Sequence, residues 1–141
     1  MLSNRAKYAT RAILELSKRY GQGPVPIQTV ATEQNIPVKF LEQILVTLKM
    51  DGFVKSRKGP GGGYILARAP SEIFLGQVVR AVDGPLAPIS CVSVYGYEEC
   101  GCPHPDTCGL KRVFKAARDA LAGVLDGASY ASIISQGLEL E

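Results

Sequence analysis

The sequence contains no long hydrophobic run: nowhere do apolar residues approach the roughly 20 in succession that a membrane-spanning helix needs. The first seven residues lack the apolar stretch and the cleavage site of a secretory signal. We therefore expect a cytoplasmic protein without a membrane partner. Internal repeats are also missing, and the 141 residues leave room for one domain, or one domain with an appendage.

Histidine is scarce. His104 is the only one, and Pro103 and Pro105 flank it. Hydrolases and transferases commonly place a general base beside a nucleophile, and histidine fills that role most often. No such arrangement is evident in this chain. The sequence therefore predicts a protein that is not an enzyme.

The net charge of +3 is modest but unevenly distributed. Residues 1–70 carry 11 Lys and Arg against 4 Asp and Glu, which gives +7, whereas residues 71–141 carry 5 against 9, which gives −4. This asymmetry indicates that the first half meets a polyanion such as nucleic acid. A solvated basic face would give the same asymmetry, so charge alone leaves both interpretations open.

The first half has the element order of a winged helix-turn-helix. Periodic apolar residues predict helices at about residues 3–20, in a short segment after Pro26, and after Pro37. Strand-like segments at residues 53–58 and 64–67 then flank a glycine-rich turn. The expected buried stripes of the first and third helices are Ala6, Ala9, Ile13, Leu16 and Tyr20, and Phe40, Leu41, Ile44, Leu45 and Leu48. We expect a mainly α fold with a two-stranded β-wing.

The polar face of the third helix and the hairpin supply the candidate DNA contacts. In a winged helix the third helix enters the major groove, where Gln43 suits an adenine edge and Glu42 a cytosine amine. Lysines suit guanine or phosphate, and Arg5 on the first helix would position the protein on phosphate without reading sequence. The candidate residues are Arg5, Lys39, Glu42, Gln43, Lys49, Arg57, Lys58, Gly59 and Gly61. Taken alone, the third helix would equally fit the solvated side of an amphipathic helix.

The glycine-rich tip, Gly59 to Gly63, strengthens the DNA-binding interpretation. Glycines let a backbone approach a duplex closely, and the neighbouring cations suit phosphates or a narrow minor groove. Glycine-rich loops also cradle nucleotide phosphates, but a P-loop needs Lys followed by Ser or Thr and then a helix. Here Tyr64-Ile65-Leu66 follows, which is strand-like. Nucleotide binding is therefore not expected.

All four cysteines fall in one irregular loop that precedes a predicted helix. Cys91, Cys100, Cys102 and Cys108 form the pattern C-x8-C-x-C-x5-C. In a reducing compartment, such a cluster favours metal or redox chemistry over structural disulfides, and thiolates select zinc, copper(I) or iron–sulfur clusters. The C-x2–4-C knuckle typical of structural zinc is absent, which favours an iron–sulfur cluster. Cys108 lies near the start of the long helix, whose dipole would favour a thiolate.

The long helix, at about residues 107–126, carries a heptad-like apolar seam. Its members are Leu110, Phe114, Ala117, Leu121 and Val124. A two-stranded dimer contact would bury this stripe, as would packing against its own domain. We favour the dimer because so small a domain has little core to pack against it. The tail after residue 128 supports no definite prediction.

With these constellations, the chain resembles the winged-helix regulator family that includes the iron–sulfur-cluster regulator IscR and the nitric-oxide sensor NsrR. The resemblance is strongest at residues 41–45, 57–64, 79–85 and the cysteine loop. It implies a homodimer that binds double-stranded DNA at a near-palindromic operator. It also implies a [2Fe–2S] or [4Fe–4S] cluster whose loss, oxidation or nitrosylation changes DNA affinity.

Two departures from that family matter. The gap after Cys91 is longer, and Cys100 is an additional cysteine. The family's histidine ligand would fall at Lys111, and an acidic ligand of some members near Lys7, and neither lysine is a plausible ligand. Cys100 is therefore the candidate fourth ligand of an all-cysteine site.

These inferences divide the chain into three parts. Residues 1–83 are predicted to form the DNA-binding domain, residues 84–108 the cysteine-rich cluster loop, and residues 109–141 the dimerisation helix and tail. We predict a dimeric transcriptional regulator that senses redox state, nitric oxide or iron–sulfur status. A zinc site or thiol switch in the same regulator remains an alternative. An iron–sulfur electron carrier is a second alternative, although a carrier needs neither a basic hairpin nor a reading helix.

Overall fold

The computed structural model describes residues 2–140, and for residues 138–140 the backbone alone. Its helices and strands follow the chain in this order: α1 Asn4–Lys18, α2 Ile27–Gln34, α3 Val38–Met50, β1 Val54–Arg57, β2 Gly63–Leu66, α4 Leu75–Asp83, α5 Gly109–Asp126 and α6 Tyr130–Leu140. Short 3-10 helices occupy Pro70–Glu72, Ser90–Val92 and Pro105–Thr107. The predicted winged helix-turn-helix is confirmed: three helices precede an antiparallel two-stranded hairpin.

The core lies where α1, α2 and α3 meet, with α4 and the hairpin closing its sides. Helix α3 contributes four side chains that are essentially inaccessible, Leu41, Ile44, Leu45 and Leu48. Each buried side chain of this size stabilises the fold by about 1.5–3 kcal/mol relative to an exposed one. Because these four occupy one face of α3, the opposite face is held outward.

Two residues of the expected buried stripes are exposed instead. Tyr20 lies beyond the end of α1, in the turn before Val25, and is 51% exposed. Phe40 lies at the edge of the α3 stripe and is 56% exposed, with its ring 6.3 Å from that of Tyr8. Helical periodicity places both near the apolar stripe but does not show where the neighbouring element ends.

The tail forms α6 and returns to the core. The buried Tyr130 hydroxyl donates a hydrogen bond of 3.0 Å to the Thr10 carbonyl of α1. Burial raises the pKa of Tyr130 well above its ordinary value. The backbone around Ser129 pairs with Phe74 in an antiparallel bridge. The segment for which the sequence supports no prediction therefore completes the packing around α1.

Candidate DNA-binding surface and cysteine loop

The outward face of α3 carries the predicted reading residues. Lys39, Glu42 and Gln43 are all exposed on the side opposite the buried leucines. Pro37 precedes the helix with an extended backbone, and the C-cap N–H of Asp51 closes the last turn. The polar atoms of these three side chains have no intramolecular hydrogen bond among the described residues and are available to an external partner.

The other two predicted cations beside α3 are held by neighbouring elements. The Arg5 guanidinium donates to the Thr47 hydroxyl at 2.7 Å, which ties the start of α1 to α3. The Lys49 ammonium donates to the Ser56 hydroxyl at 2.8 Å, which ties the end of α3 to β1. Both side chains remain exposed. The reading helix is thus braced on one side by α1 and on the other by the wing.

The wing exposes Arg57, Lys58, Gly59 and Gly61 at one end of the hairpin. Gly59 and Gly61 have φ of 91° and 75°, which favours glycine in this tight turn. None of the wing cations is in an ion pair within the described part of the chain. A backbone tip flanked by unpaired cations suits contact with a phosphate backbone.

Two further glycines are required by the wing itself. A Cβ on Gly62 would lie 2.3 Å from the Arg57 carbonyl oxygen, and one on Gly63 2.2 Å from the Val25 carbonyl oxygen. Val25 pairs with Tyr64 through two backbone hydrogen bonds of 2.9 Å, so the turn before α2 lies against β2. The close approach that glycine permits at these two positions is therefore to the chain's own backbone.

A buried carboxylate that the sequence analysis did not identify joins α1 to α2. Glu15 is only 5% exposed and accepts hydrogen bonds from Arg19 at 2.7 Å and from Gln34 at 2.9 Å. Burial raises the pKa of Glu15, but these two hydrogen bonds and the charges of Arg19 and Lys18 together outweigh it and lower the pKa from its ordinary value. The Glu15–Arg19 spacing of four residues was the available signal.

Cys91 is the best anchored of the four cysteines. It lies in the short 3-10 helix Ser90–Val92 and is 8% exposed. The adjacent Val92 is buried, and its carbonyl accepts a hydrogen bond from the Arg118 guanidinium of α5. This end of the loop is therefore buried and is also held to the long helix α5.

Cys100 and Cys102 lie together in the exposed part of the loop. The Cys102 N–H donates to the Cys100 sulfur at 3.4 Å. Hydrogen bonds from Cys102 lower the pKa of Cys100, while the hydrogen bond with Cys100 raises the pKa of Cys102. Of the two thiols, Cys100 is the one more readily deprotonated.

Cys108 is the N-cap of α5. Its sulfur accepts a hydrogen bond of 3.4 Å from the Lys111 N–H, a donor that would otherwise be free in the first turn. The structure thus confirms that this cysteine lies at the start of the long helix. The neighbouring His104 is exposed and makes no side-chain hydrogen bond to a described residue.

The cysteine loop supplies the donors that a metal centre needs but does not bring them into coordination distance. Among the side chains of residues 2–137, no three from His, Cys, Asp or Glu are close enough to share one metal ion. Cys91 and Cys108 nevertheless lie near enough to Cys102 to raise its pKa electrostatically. Four thiols on a loop with a buried anchor and a helix N-cap fit a thiolate-bound metal or cluster.

Helix α5 leaves its apolar seam uncovered. No residue of α5 is buried; of the seam residues, Leu110, Leu121 and Val124 are 70%, 41% and 71% exposed, and Phe114 is half-buried. The helix is attached to α4 by the Arg80 guanidinium, which donates to both oxygens of Asp126 at 2.5 and 2.9 Å. This pairing raises the pKa of Arg80 and lowers that of Asp126. The sequence left two ways to bury the seam, a dimer contact or packing against its own domain. The chain's own domain does not cover it.

Gly76 makes room for this ion pair. A Cβ at that position would lie 2.0 Å from Asp126 Oδ1. The sequence does not show that Arg80 pairs with Asp126, because the two residues are 46 positions apart. It therefore does not show the role of Gly76 either. A glycine inside the apolar segment 75–82 is the local signal.

The braced reading helix, basic wing and appended long helix define a winged-helix DNA-binding regulator. A family model described as Rrf2, an iron-dependent transcriptional regulator, matches residues 2–136. The chain belongs to the Rrf2 family of transcriptional regulators. None of the described helices is both long and apolar enough to span a membrane.

Named relatives agree with this assignment. The chain is 32% identical to the transcriptional regulator IscR of Serratia proteamaculans over 134 residues, which are 95% of this chain and 79% of that protein. It resembles the solved structure of CymR, the global cysteine regulator of B. subtilis, with a TM-score of 0.81, 30% identity and coverage of 96% and 97% of the two chains. The IscR structure from T. potens matches with a TM-score of 0.81, 28% identity and coverage of 100% and 90%. All are transcriptional regulators rather than enzymes.

Proposed function

We propose that the chain is a homodimeric regulator that reads a near-palindromic operator and holds an iron–sulfur cluster in its cysteine loop. DNA would be contacted by the outward face of α3 and by the wing, with Arg5 placed on phosphate. The observation that carries the proposal is that one chain combines two features. Its helix α3 is held outward between α1 and the wing, and its four-cysteine loop leads directly into α5.

The dimer is supported by the uncovered seam of α5. Leu110, Val113, Leu121 and Val124 are exposed within one chain, and a second copy crossing the first would bury them. A twofold dimer presents two reading heads related by the same axis, so its operator would have two similar half-sites.

The cluster would be held by Cys91, Cys100, Cys102 and Cys108, as either a [2Fe–2S] or a [4Fe–4S] centre. When bound, it would supply a redox-active iron centre that responds to oxidants, nitric oxide or iron–sulfur status. The chain's own contribution is to hold Cys91 in a buried turn and Cys108 at the α5 N-terminus. Cys100 and Cys102 would have to move to join them, because they are exposed on the outer part of the loop.

The path from the loop to the reading heads is short. The loop begins at the end of α4, a helix that contacts α1 and α3, and the loop ends where α5 begins. Asp83, the last residue of α4, accepts hydrogen bonds from the N–H and hydroxyl of Ser3, the N-cap of α1. Ordering of the loop would therefore act on α1 and on the dimer helix together.

The test starts with protein purified without oxygen. Broad absorption between about 320 and 460 nm, with matching iron and sulfide contents, is the expected result. A variant with all four cysteines changed to serine should lose both the absorption and the response of DNA binding to oxidants. The variant His104→Ala is the control and should keep both. Unchanged operator affinity and unchanged oxidant response in the cysteine-free variant would refute the sensing role.

A thiol switch is the second candidate, and the contact between Cys100 and Cys102 favours it. The Cys102 backbone N–H donates a hydrogen bond to the Cys100 sulfur, and the contact with Cys102 lowers the pKa of Cys100. One of the structural relatives is the oxidised form of CymR from Staphylococcus aureus, at 26% identity. A colourless, iron-free protein after anaerobic reconstitution would favour this candidate, with zinc analysis separating a thiol switch from a zinc site.

A further inference from the structure

The outermost stripe of α3 changes character halfway along the helix. Lys39, Gln43, Val46 and Met50 follow one another at steps of four, three and four residues, opposite the buried face. The first two are polar, whereas Val46 is 55% and Met50 82% exposed. Single exposed apolar residues are common on protein surfaces. Here, however, two stand in line on the face that the proposed function places in the major groove.

The polar side chains flanking Val46 are engaged by neighbouring elements. On one side the Thr47 hydroxyl accepts the Arg5 hydrogen bond of 2.7 Å, and on the other the Lys49 ammonium reaches the Ser56 hydroxyl at 2.8 Å. Both contacts draw these side chains toward α1 and β1. Val46 is left as the outward group between them.

An outward valine has one matching partner on the base edges of the major groove. The C5-methyl of thymine is the single apolar group that the four base pairs present there. Placing valine against a cytosine amine or guanine carbonyl would remove water from a polar group without replacing its hydrogen bond. The basic charge of the first half, +7 over residues 1–70, supports DNA as the partner of this face.

We propose that Val46 contacts the 5-methyl group of an operator thymine and so selects an A·T pair beside the position read by Gln43. This inference rests on the proposed function, because it requires α3 to lie in the major groove. Gln43 suits an adenine edge. Together the two residues assign adjoining A·T pairs to each half-site.

The test uses thymine and deoxyuridine, which differ only by the methyl group. The full chain, purified without oxygen, first selects its preferred duplex from a randomised pool. Each thymine of that duplex is then replaced in turn by deoxyuridine, and binding is measured for wild type, Val46→Ala and the control Val94→Ala. Val94 is similarly exposed, at 66%, but lies in the cysteine loop.

We expect wild type and Val94→Ala to bind about fourfold more weakly when one particular methyl is removed from one half-site, the value of one buried methyl-sized group. Val46→Ala changes both subunits of the proposed dimer, so it should bind the thymine duplex about 16-fold more weakly and lose sensitivity to that methyl alone. Full retention of every thymine preference by Val46→Ala would overturn this inference and leave DNA binding intact. Failure of the pool to yield any preferred sequence would overturn sequence reading by α3 and this inference together.

Discussion

Residues 1–83 and residues 84–126 differ in how much of their surface is buried within the chain. The first segment supplies nearly all of the core, including the inward faces of α1 and α3. The second has only a few buried residues near Cys91, and α5 has none. The DNA-reading part therefore has a fixed shape, whereas the cysteine part is attached at a few defined points. A change in the loop is compatible with an intact reading head.

The largest difference between the two parts should appear in stability. Leu45 is fully buried, so Leu45→Ala should lower the free energy of unfolding by about 2–5 kcal/mol. Val94→Ala, in the exposed cysteine loop, should change it by less than about 0.5 kcal/mol. Chemical denaturation of the two variants measures both values. Similar losses in both would mean that loop and core unfold as one tightly packed unit, and the comparison would fail.

Salt dependence of DNA binding sharpens the same comparison. Lys58 on the wing is exposed. Lys58→Ala removes one phosphate contact from each subunit of the proposed dimer, so it should reduce the slope of log affinity against log salt by about 1.8. Lys115 is equally exposed but lies on α5, so Lys115→Ala should leave the slope unchanged. Titrations at several salt concentrations decide the matter. A reduced slope for Lys115→Ala would place DNA contacts in the second part as well.

Disrupting the ion pair that attaches α5 to α4 should have a smaller effect on the free energy of unfolding. Gly76→Ala should displace the Asp126 carboxylate, because the added Cβ would lie 2.0 Å from its oxygen. Since this ion pair is partly exposed, we expect a cost of about 1 kcal/mol or less. The same substitution should cost almost nothing once Asp126→Ala is present. Denaturation of the two single variants and the double variant tests this, and simple additivity would contradict it.

The smallest effect concerns acid stability of the first part. The folded-state pKa of Glu15 lies below 4.5, so its contribution is present above pH 4.5 and is lost as the pH falls through the folded value. Glu15→Gln should therefore melt at a lower temperature than wild type at neutral pH, and the gap should narrow on acidification below pH 4.5. Glu33→Gln, on the exposed side of α2, is the matched control. A gap that stays constant with pH would rule out this role for Glu15.

The sequence predicts the first part well because its signals are local. The start of α3 is predicted by Pro37 and by the apolar steps of three and four residues that follow it. The hairpin is predicted by its glycine-rich tip. The candidate reading residues Lys39, Glu42 and Gln43 then follow from helical periodicity alone. Periodicity could not show that Arg5 and Lys49 are held by Thr47 and Ser56, because those partners belong to other elements.

The chain from residue 84 onward was harder to predict, because its organisation depends on contacts between distant residues. Helix α6 was not predicted from the sequence. Its Tyr130 is held by a hydrogen bond to the Thr10 carbonyl, and that distant contact has no signal in the sequence. The cysteine spacing predicts a donor set, and the position of Cys108 at a helix start was predicted correctly. No spacing rule shows which thiols are buried, and only Cys91 is.

The contact between Tyr130 and Thr10 also has a consequence for biosynthesis. The core around α1 lacks its last large side chain until residue 130 has left the ribosome, although the reading helix emerges some 80 residues earlier. All four cysteines emerge within that interval. The nascent chain therefore displays its thiols before its DNA-reading end is fully folded, and a stop codon just upstream of Tyr130 would spare every cysteine but leave that core open.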